Sequence, residues 1–385
     1  MFEIMQNRKV LFGSGAAAET GSILKDVSAK KLFILTYSAQ STSNLVKISE
    51  QAGAEAFVCD IVQGEPDLDI VDRLASMMKE QKSEAVLAVG GGSVLDAAKA
   101  AAMIATNGGT AEDYQMKGKA ISCPTLPVIM IPTTAGTGSE ATKTSVLRNA
   151  HIKKSIYSPY MVAETVILDP DFTLALPSSL TASTGIDALS HAVESYVSLN
   201  ANVYTRMHSL KAIELIGKSL ITAVSDNKNT EARADMLYAS YFAGCALHAG
   251  IGLAHIIAQP IGGMFNVPHG EACSIFLPYS MEFNLEYCPE AYQNIGKALG
   301  VKTPETSNAV EGAKLAIEKV KEIIAAVNTP TSLKPYIEDS VSCSDETFLD
   351  ETVSTVIQAT GHIKCNPRPI DSEAIKHVLS LSLQA

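Results

Sequence analysis

Residues 85–100 read AVLAVGGGSVLDAAKA. Five apolar residues run without a charge into Gly90, Gly91 and Gly92, and a helical pattern starts at Ser93. A short continuous apolar run closed by glycines reads as a strand buried on both faces, and such strands belong to parallel sheets covered by helices. The glycines let an anionic group approach the backbone at a helix N-terminus, where unpaired N–H donors and the positive end of the helix dipole lie. A tight strand-to-helix turn needs glycine for its own reasons, so GGGS alone leaves phosphate binding and simple turning both open. Ser93 and Asp96 have the S-x-x-D spacing of a capping box. The stretch is not the six-residue GxGxxG fingerprint, so an ordinary Rossmann dinucleotide fold is not indicated.

The same alternation extends on both sides. LFILT (32–36), AFVC (56–59) and PVIMIPT (127–133) read as further strands. STSNLVKISEQAG, LDIVDRLASMMKEQ and SVLDAAKAAAMIAT read as the helices between them. Strands joined by helical crossovers predict a doubly wound, mostly parallel sheet. Between Pro170 and Ser183 the pattern changes to long helical stretches such as DALSHAVESYV and ARADMLYASYFAG. The expected architecture is an α/β N-terminal domain over 1–178 and an all-helical C-terminal domain over 179–385. The length of 385 residues accommodates two domains.

Composition narrows the function. The net charge is −11 with no basic cluster, which argues against nucleic acid and anionic membrane surfaces as partners. Seven cysteines, odd in number and without a CxxC pair, fit reduced thiols acting as small buried hydrophobes. The N-terminal MFEIMQNRKV has no apolar segment after a basic start, so a secretory signal is not expected and the chain is expected to be cytoplasmic.

Two further stretches carry chemistry. IPTTAGTGSEAT follows an apolar strand and sets Thr133, Thr134, Thr137 and Ser139 among glycines. Small hydroxylated residues at the carboxyl end of a parallel strand suit a ligand in the sheet crevice. Two such loops after neighbouring strands, with Gly91, Gly92 and Ser93 in the first, favour nucleotide binding. GIDALSHAVESY places Asp187 and His191 four apart on one helix face, a chelating spacing.

The run from Ala239 to Val267 has no charged side chain, yet it holds His248, His255 and Gln259, with His269 just beyond. Its five glycines and one proline argue against a membrane span. On one straight helix His255 and His269 would lie roughly 21 Å apart. Pro260, Gly262 and Gly263 are expected to break the helix, with Pro268 before His269, so that the chain folds back. His248 would sit about 10 Å before His255 on a helix and reads as pocket lining or an ordinary core histidine. Asp187, His191, His255 and His269 together make an N3O set suited to Fe2+ or Zn2+, with a position left for substrate.

These stretches, together with ILDP at 167–170 and the terminal CNPRPID, resemble the iron-containing (group III) alcohol dehydrogenase family along nearly the whole chain. The resemblance implies a homodimer or higher homo-oligomer and NAD(P)-linked interconversion of small alcohols and carbonyls, with the metal acting as Lewis acid. It implies metal ligands at Asp187, His191, His255 and His269. It also implies pyrophosphate contacts at Gly92 and Ser93, cofactor contacts at Thr134 and Thr137, and a cofactor-reaching lysine at Lys153. Four positions depart from the common family pattern. Tyr37 stands where an aspartate often binds the adenosine ribose, Glu65 where asparagine is frequent, Gln259 where a second histidine completes HxxxH, and His248 where asparagine is common. NAD is expected over NADP, because Tyr37 to Val46 holds no Lys or Arg for a 2′-phosphate. A short primary alcohol or aldehyde is the expected substrate, with a polar or anionic tail such as a sulfonate left open, since Lys143 and Arg148 read first as ordinary surface charges. Lys143 and Arg148 are candidates for the tail, and Gln259 for a substrate or relay-water contact. Two other readings stay open: a dehydroquinate-synthase-like lyase or polyol-phosphate dehydrogenase, and a non-catalytic nucleotide or metal sensor.

Overall fold

The computed structural model describes residues 2–149, 152–302, 304, 306–337, 346–360 and 364–384. The chain divides into two compact units, Met1–Leu176 and Pro177–Ala385. Among the described residues the first unit holds the strands β1 (Lys9–Phe12), β2 (Lys31–Thr36), β3 (Glu55–Cys59), β4 (Ala85–Gly90), β5 (Val128–Pro132), β6 (Thr144–Asn149), β7 (Ile152–Tyr157) and β8 (Thr165–Leu168). Six of them form one sheet in the order β1-β8-β5-β4-β2-β3, and every pairing in it is parallel. β6 and β7 make a separate antiparallel ribbon.

The sequence explains the middle of this sheet. Every residue of β4 is buried, as a strand covered on both faces requires. The covering helices are α1 (Thr20–Asp26), α2 (Ser43–Gln51), α3 (Leu68–Glu80) and α4 (Gly92–Asn107), with the short α5 (Ala111–Gln115). α3 buries Val71, Leu74, Ala75 and Met78, one face of a 3.6-residue repeat. Its Asp67 cap accepts the Ile70 N–H at 2.8 Å, an arrangement worth about 1 kcal/mol. The expected strands correspond to β2, β3, β4 and β5. β1 and β8 were not anticipated, because four residues are too few to show a period, and each is held by partners distant in the chain.

Topology places the loops. From β2 the chain moves to the edge strand β3 and then returns to β4 on the other side of β2. The winding reverses there, and the loops after β2, β4 and β5 leave the carboxyl ends of adjacent strands, where open α/β sheets bind ligands.

The second unit is helical: α6 (Ser178–Val197), α7 (Val203–Ser225), α8 (Thr230–Ala246), α9 (Leu253–Phe265), α10 (His269–Asn284), α11 (Pro289–Ala298), α12 (Ala309–Ala326), α13 (Glu346–Thr360) and α14 (Ser372–Gln384). α6 is its axis, with every residue from Gly185 to Val197 buried against α7, α8 and α10. The uncharged run is divided by a bend of 105° between Thr230–Ala249 and Leu253–Phe265. Among the described residues no single helix is long and apolar enough to cross a membrane.

One expectation needs correction here. α9 passes through Pro260 and both glycines without breaking and ends at Phe265. The chain turns instead at Asn266, whose φ of 54° is left-handed, and Pro268 then caps α10. Asparagine tolerates that conformation better than most residues, so the turn falls where the backbone cost is low.

Candidate metal centre and cofactor loops

α6, α9 and α10 bring four side chains to one point. Ligand atoms of Asp187, His255, His269 and Cys273 all lie within 4.8 Å of one another. Asp187 Oδ1 is 3.4 Å from His255 Nε2, 3.5 Å from His269 Nε2 and 3.6 Å from Cys273 Sγ. Asp187 sits mid-helix on α6, and His255 is on the first turn of α9. His269 opens α10 and Cys273 follows one turn later on the same face. Gly270 makes the approach possible, because a side chain there would collide with the Ser183 carbonyl of α6. No Lys or Arg pairs with Asp187 among the described residues, so the charge that would balance this donor set is a cation's.

His191 holds a different place. Its Nε2 is 3.7 Å from Asp187 Oδ1, but it is not a member of the four-residue group. Its ring lies flat on that of His255, with centroids 4.4 Å apart and 18° between planes. Gln259 is half-buried on α9, one turn beyond His255, and is likewise outside the group. His248 stands on the 3-10 turn Leu247–Ala249 at the bend.

Glu194, unremarked in the sequence, orients the centre. His255 Nδ1 meets Glu194 Oε2 at 2.5 Å, and the other carboxylate oxygen accepts the Ala254 N–H at 2.6 Å. With Nδ1–H donated to the carboxylate, the tautomer that leaves the Nε2 lone pair facing Asp187 is selected. The terminal CNPRPID motif props the same helix start. Asn366 Oδ1 accepts the Leu253 N–H at 3.3 Å, and Asn366 exchanges hydrogen bonds with Asn284 of α10. Glu194→Gln should weaken metal binding by about 10- to 100-fold while preserving the fold, as measured by zinc competition with a chelator. Unchanged affinity would remove Glu194 from this role.

The electrostatics follow from burial among mutual partners. Burial by itself would raise the Asp187 carboxyl, but the imidazoles of His191, His269 and His255 outweigh it and hold it well below the usual carboxylate range. Burial would lower His255, yet Cys273, Glu194 and Asp187 raise it well above the ordinary imidazole value. Burial pushes the Cys273 thiol up to about 11, with His255 pulling the other way. Asp187, His255 and Cys273 are buried, whereas the His269 side chain is 29% exposed and marks the open side.

In the first unit the glycine and threonine loops touch. A methyl on Gly92 would meet Thr137 Cγ2 at 2.6 Å, and one on Gly91 would meet Thr134 Cγ2 at 3.1 Å. The Thr133 N–H donates to the Gly90 carbonyl at 3.0 Å. The expected capping box is absent. α4 begins at Gly92 with Gly91 as its cap and no side-chain cap bond, because Asp96 is engaged elsewhere. Asp96 Oδ1 accepts from Ser139 Oγ at 2.5 Å, and its Oδ2 accepts from the Val146 N–H at 3.0 Å. The N-terminal amides of α4, uncapped by a side chain, remain as anion donors next to Ser93.

Lys99, fully buried one turn on, donates to the Ser139 carbonyl at 2.8 Å and Thr142 Oγ1 at 3.2 Å, with Asp96 Oδ1 also at 3.2 Å. Lys99 and Asp96 thus pin the chain that follows the threonine loop. Lys153, expected to reach a cofactor, forms an ion pair with Glu65. Arg148 is exposed on β6 opposite Lys153. Tyr37 lies half-exposed where β2 ends.

Both halves match family models. One described as "Iron-containing alcohol dehydrogenase" spans residues 7–170, and one described as "Fe-containing alcohol dehydrogenase family, C-terminal" spans 181–383. The chain belongs to the iron-containing alcohol dehydrogenase family. It is an oxidoreductase by that membership, with the parallel-sheet and helical units its members share. Alcohol dehydrogenase 4 of Saccharomyces cerevisiae is 39% identical over 293 residues, 74% of this chain and 76% of the relative. The sulfoacetaldehyde reductase of Bilophila wadsworthia is 31% identical over 389 residues, 98% of each chain. The crystal structure of a sulfoacetaldehyde reductase from Bifidobacterium kashiwanohense in complex with NAD+ superposes with a TM-score of 0.87 at 28% identity, covering 99% of this chain and 98% of that one.

Glu194 and Cys273 are the functional candidates that sequence reasoning passed over. Both had a signal. Asp187, His191 and Glu194 follow i, i+4, i+7 along one helix face, and Cys273 follows His269 at i+4.

Proposed function

We propose that this alcohol dehydrogenase family member binds one divalent ion, Fe2+ or Zn2+, and interconverts a short aldehyde and its primary alcohol with NAD(H), the carbon chain ending in a polar or anionic group such as a sulfonate. The observation that carries the reading is the convergence of Asp187, His255 and His269 on one buried point. A bound ion there would polarise the alcohol or carbonyl oxygen, and the nicotinamide would exchange hydride with the carbinol carbon. Asp187, His191, His255 and His269 would hold the ion. Glu194 fixes the His255 ring, and the apolar walls of α6, α9 and α10 exclude water and so strengthen the charge interactions inside. Gly91, Gly92 and Ser93 with Thr133, Thr134 and Thr137 cradle the pyrophosphate. Gln259, a neutral amide one turn past His255, donates or accepts a hydrogen bond but does not titrate, so it serves to grip a polar tail or order a water.

The preference for NAD(H) rests on Tyr37 and the absence of Lys or Arg through Val46. Lys153 is paired with Glu65, which leaves it balanced rather than free to attract a 2′-phosphate. The anionic tail is supported by likeness to proteins named sulfoacetaldehyde reductases. Following nicotinamide absorbance over short, long, neutral and sulfonated aldehydes with the metal-loaded protein tests the reading. NADH is expected to exceed NADPH in kcat/KM by at least about tenfold, a difference of ~1.4 kcal/mol. A preference for NADPH would overturn the cofactor assignment, and an advantage for long apolar aldehydes would overturn the substrate class.

A further inference from the structure

We propose that Glu140 is a positioning residue for the threonine loop: the binding-competent protein carries it as a neutral acid, and its ionisation loosens the loop and weakens the hold on the dinucleotide. This rests on the cofactor reading above and adds to it a proton on which that binding depends. Glu140 lies on the 3-10 turn Ser139–Ala141, three residues past Thr137. It is 1% exposed, and its Oε1 has no hydrogen-bond partner among the described residues. The backbone of the turn is clamped from two sides. On one, Lys99 of α4 donates to the Ser139 carbonyl at 2.8 Å, and Asp96 accepts the Ser139 hydroxyl. On the other, Asn7 Nδ2 donates to the Glu140 carbonyl at 2.9 Å. The Ser139 N–H reaches back to Thr137 Oγ1 at 3.3 Å, so a shift of the turn is carried into the threonine that lies against Gly92.

Charge balance sets the protonation state. The charged groups that act on Glu140 are Lys99 and Asp96, both on α4. The N-terminal segment brings the neutral amide of Asn7 to the turn, while Arg8 faces solvent and pairs with Glu164. One ammonium therefore serves two buried carboxyls. Asp96 receives the Ser139 hydroxyl, the Val146 N–H and the ammonium at 3.2 Å, so the negative charge rests there. The three protons of Lys99 are taken by the Ser139 and Thr144 carbonyls and by Thr142 Oγ1, with Asp96 alongside. A second buried charge without a partner is costly, so Glu140 keeps its proton. Burial pushes its carboxyl up from the ordinary 4.5 to about 7, with its own backbone and Lys99 pulling the other way. When the proton leaves for solvent, the new carboxylate competes with the Ser139 and Thr144 carbonyls for Lys99, and the turn they fix is released. The stability contributed by the neutral acid is complete below 4.5 and is lost as pH rises to about 7. Cofactor binding selects the fixed turn and so holds the proton more tightly still, which makes affinity fall above about pH 7.

NADH binding to the full chain, followed by nicotinamide fluorescence from about pH 6 to about pH 8.5, tests the assignment without reference to turnover. Wild-type affinity should fall by at least about fivefold across that range. Glu140→Gln has the shape of the neutral acid and does not titrate, so it should match the wild type near pH 6 and keep its affinity above it. A flat wild-type profile overturns the proposal whatever the variant does, and so does a profile in Glu140→Gln that falls in parallel with the wild type. Both results leave the cofactor reading standing, whereas no NADH binding by the wild type at any pH overturns the two together. Urea unfolding supplies a readout that does not involve the cofactor. The two midpoints should coincide near pH 5 and separate by pH 7, with Glu140→Gln the higher. A variant midpoint lowered equally at every pH would reduce Glu140 to packing and overturn the proposal.

Discussion

Asp187→Ala should leave the protein without its ion and without measurable activity, while the helical unit stays folded. Asp187 is the hub of the centre: Oδ1 lies within 3.7 Å of His191, His255, His269 and Cys273. It is also the only carboxylate in the four-residue group, so its removal leaves the ion without that anionic donor in a buried site. Lewis-acid polarisation is worth several kcal/mol, so kcat/KM should fall on the order of 10³-fold or more. Among the described residues no Lys or Arg is orphaned by the change, and the cavity left by the three atoms removed is small. Elemental analysis after dialysis, far-ultraviolet circular dichroism and nicotinamide turnover check the three parts. Stoichiometric metal in the purified variant would sink the assignment of this residue.

Lys99→Met should cost about 3–5 kcal/mol of stability, the penalty for breaking a buried ion pair by removing one member. The lysine is completely buried, and Asp96, its partner, has a side chain only 13% exposed. Burial lowers the affinity of Lys99 for its proton, while Asp96 and Glu140 oppose that fall. Methionine keeps the aliphatic stem but strips Asp96 of its counter-charge, and removes the charged donor that the Ser139 and Thr144 carbonyls share with Thr142. The loop carrying Thr134 and Thr137 is anchored by these contacts, so NADH affinity should fall alongside the urea midpoint. A loss below about 1 kcal/mol would mean that water or a local shift replaces the ammonium.

Much of the α/β unit could be read from local pattern. AVLAV and VIMIP are uninterrupted apolar runs, and a run of that kind is stable only inside a sheet covered on both sides. β1, β8 and the β6–β7 ribbon could not be read, because four-residue strands and a charged ribbon gain their stability from partners far along the chain. The reversal between α9 and α10 was anticipated, but at Pro260 instead of Asn266. A proline inside a buried helix is tolerated when tertiary packing carries the cost, and local propensity does not register that packing. The Ser93–Asp96 spacing suggested a capping box, whereas Asp96 instead binds the Ser139 hydroxyl and the Val146 N–H from a distant segment. A side chain that satisfies partners across the sheet is lost to its own helix end.

The sequence by itself determined that Asp187 and His191 share a helix face, that His255 and His269 lie in an uncharged wall, and that glycines and threonines line neighbouring strand ends. Spacing of 3.6 residues and burial of apolar runs are local consequences of backbone geometry, so they are visible without a fold. Tertiary structure alone decided which of these atoms meet. It set the His191 ring flat against His255, put Glu194 behind His255 Nδ1, and carried Cys273 into the space beside Asp187. Those outcomes depend on the 105° bend, the turn at Asn266 and the close approach of α10 to α6 at Gly270. Each fixes the relative position of two helices to within a bond length, and ligation depends on distances of that size.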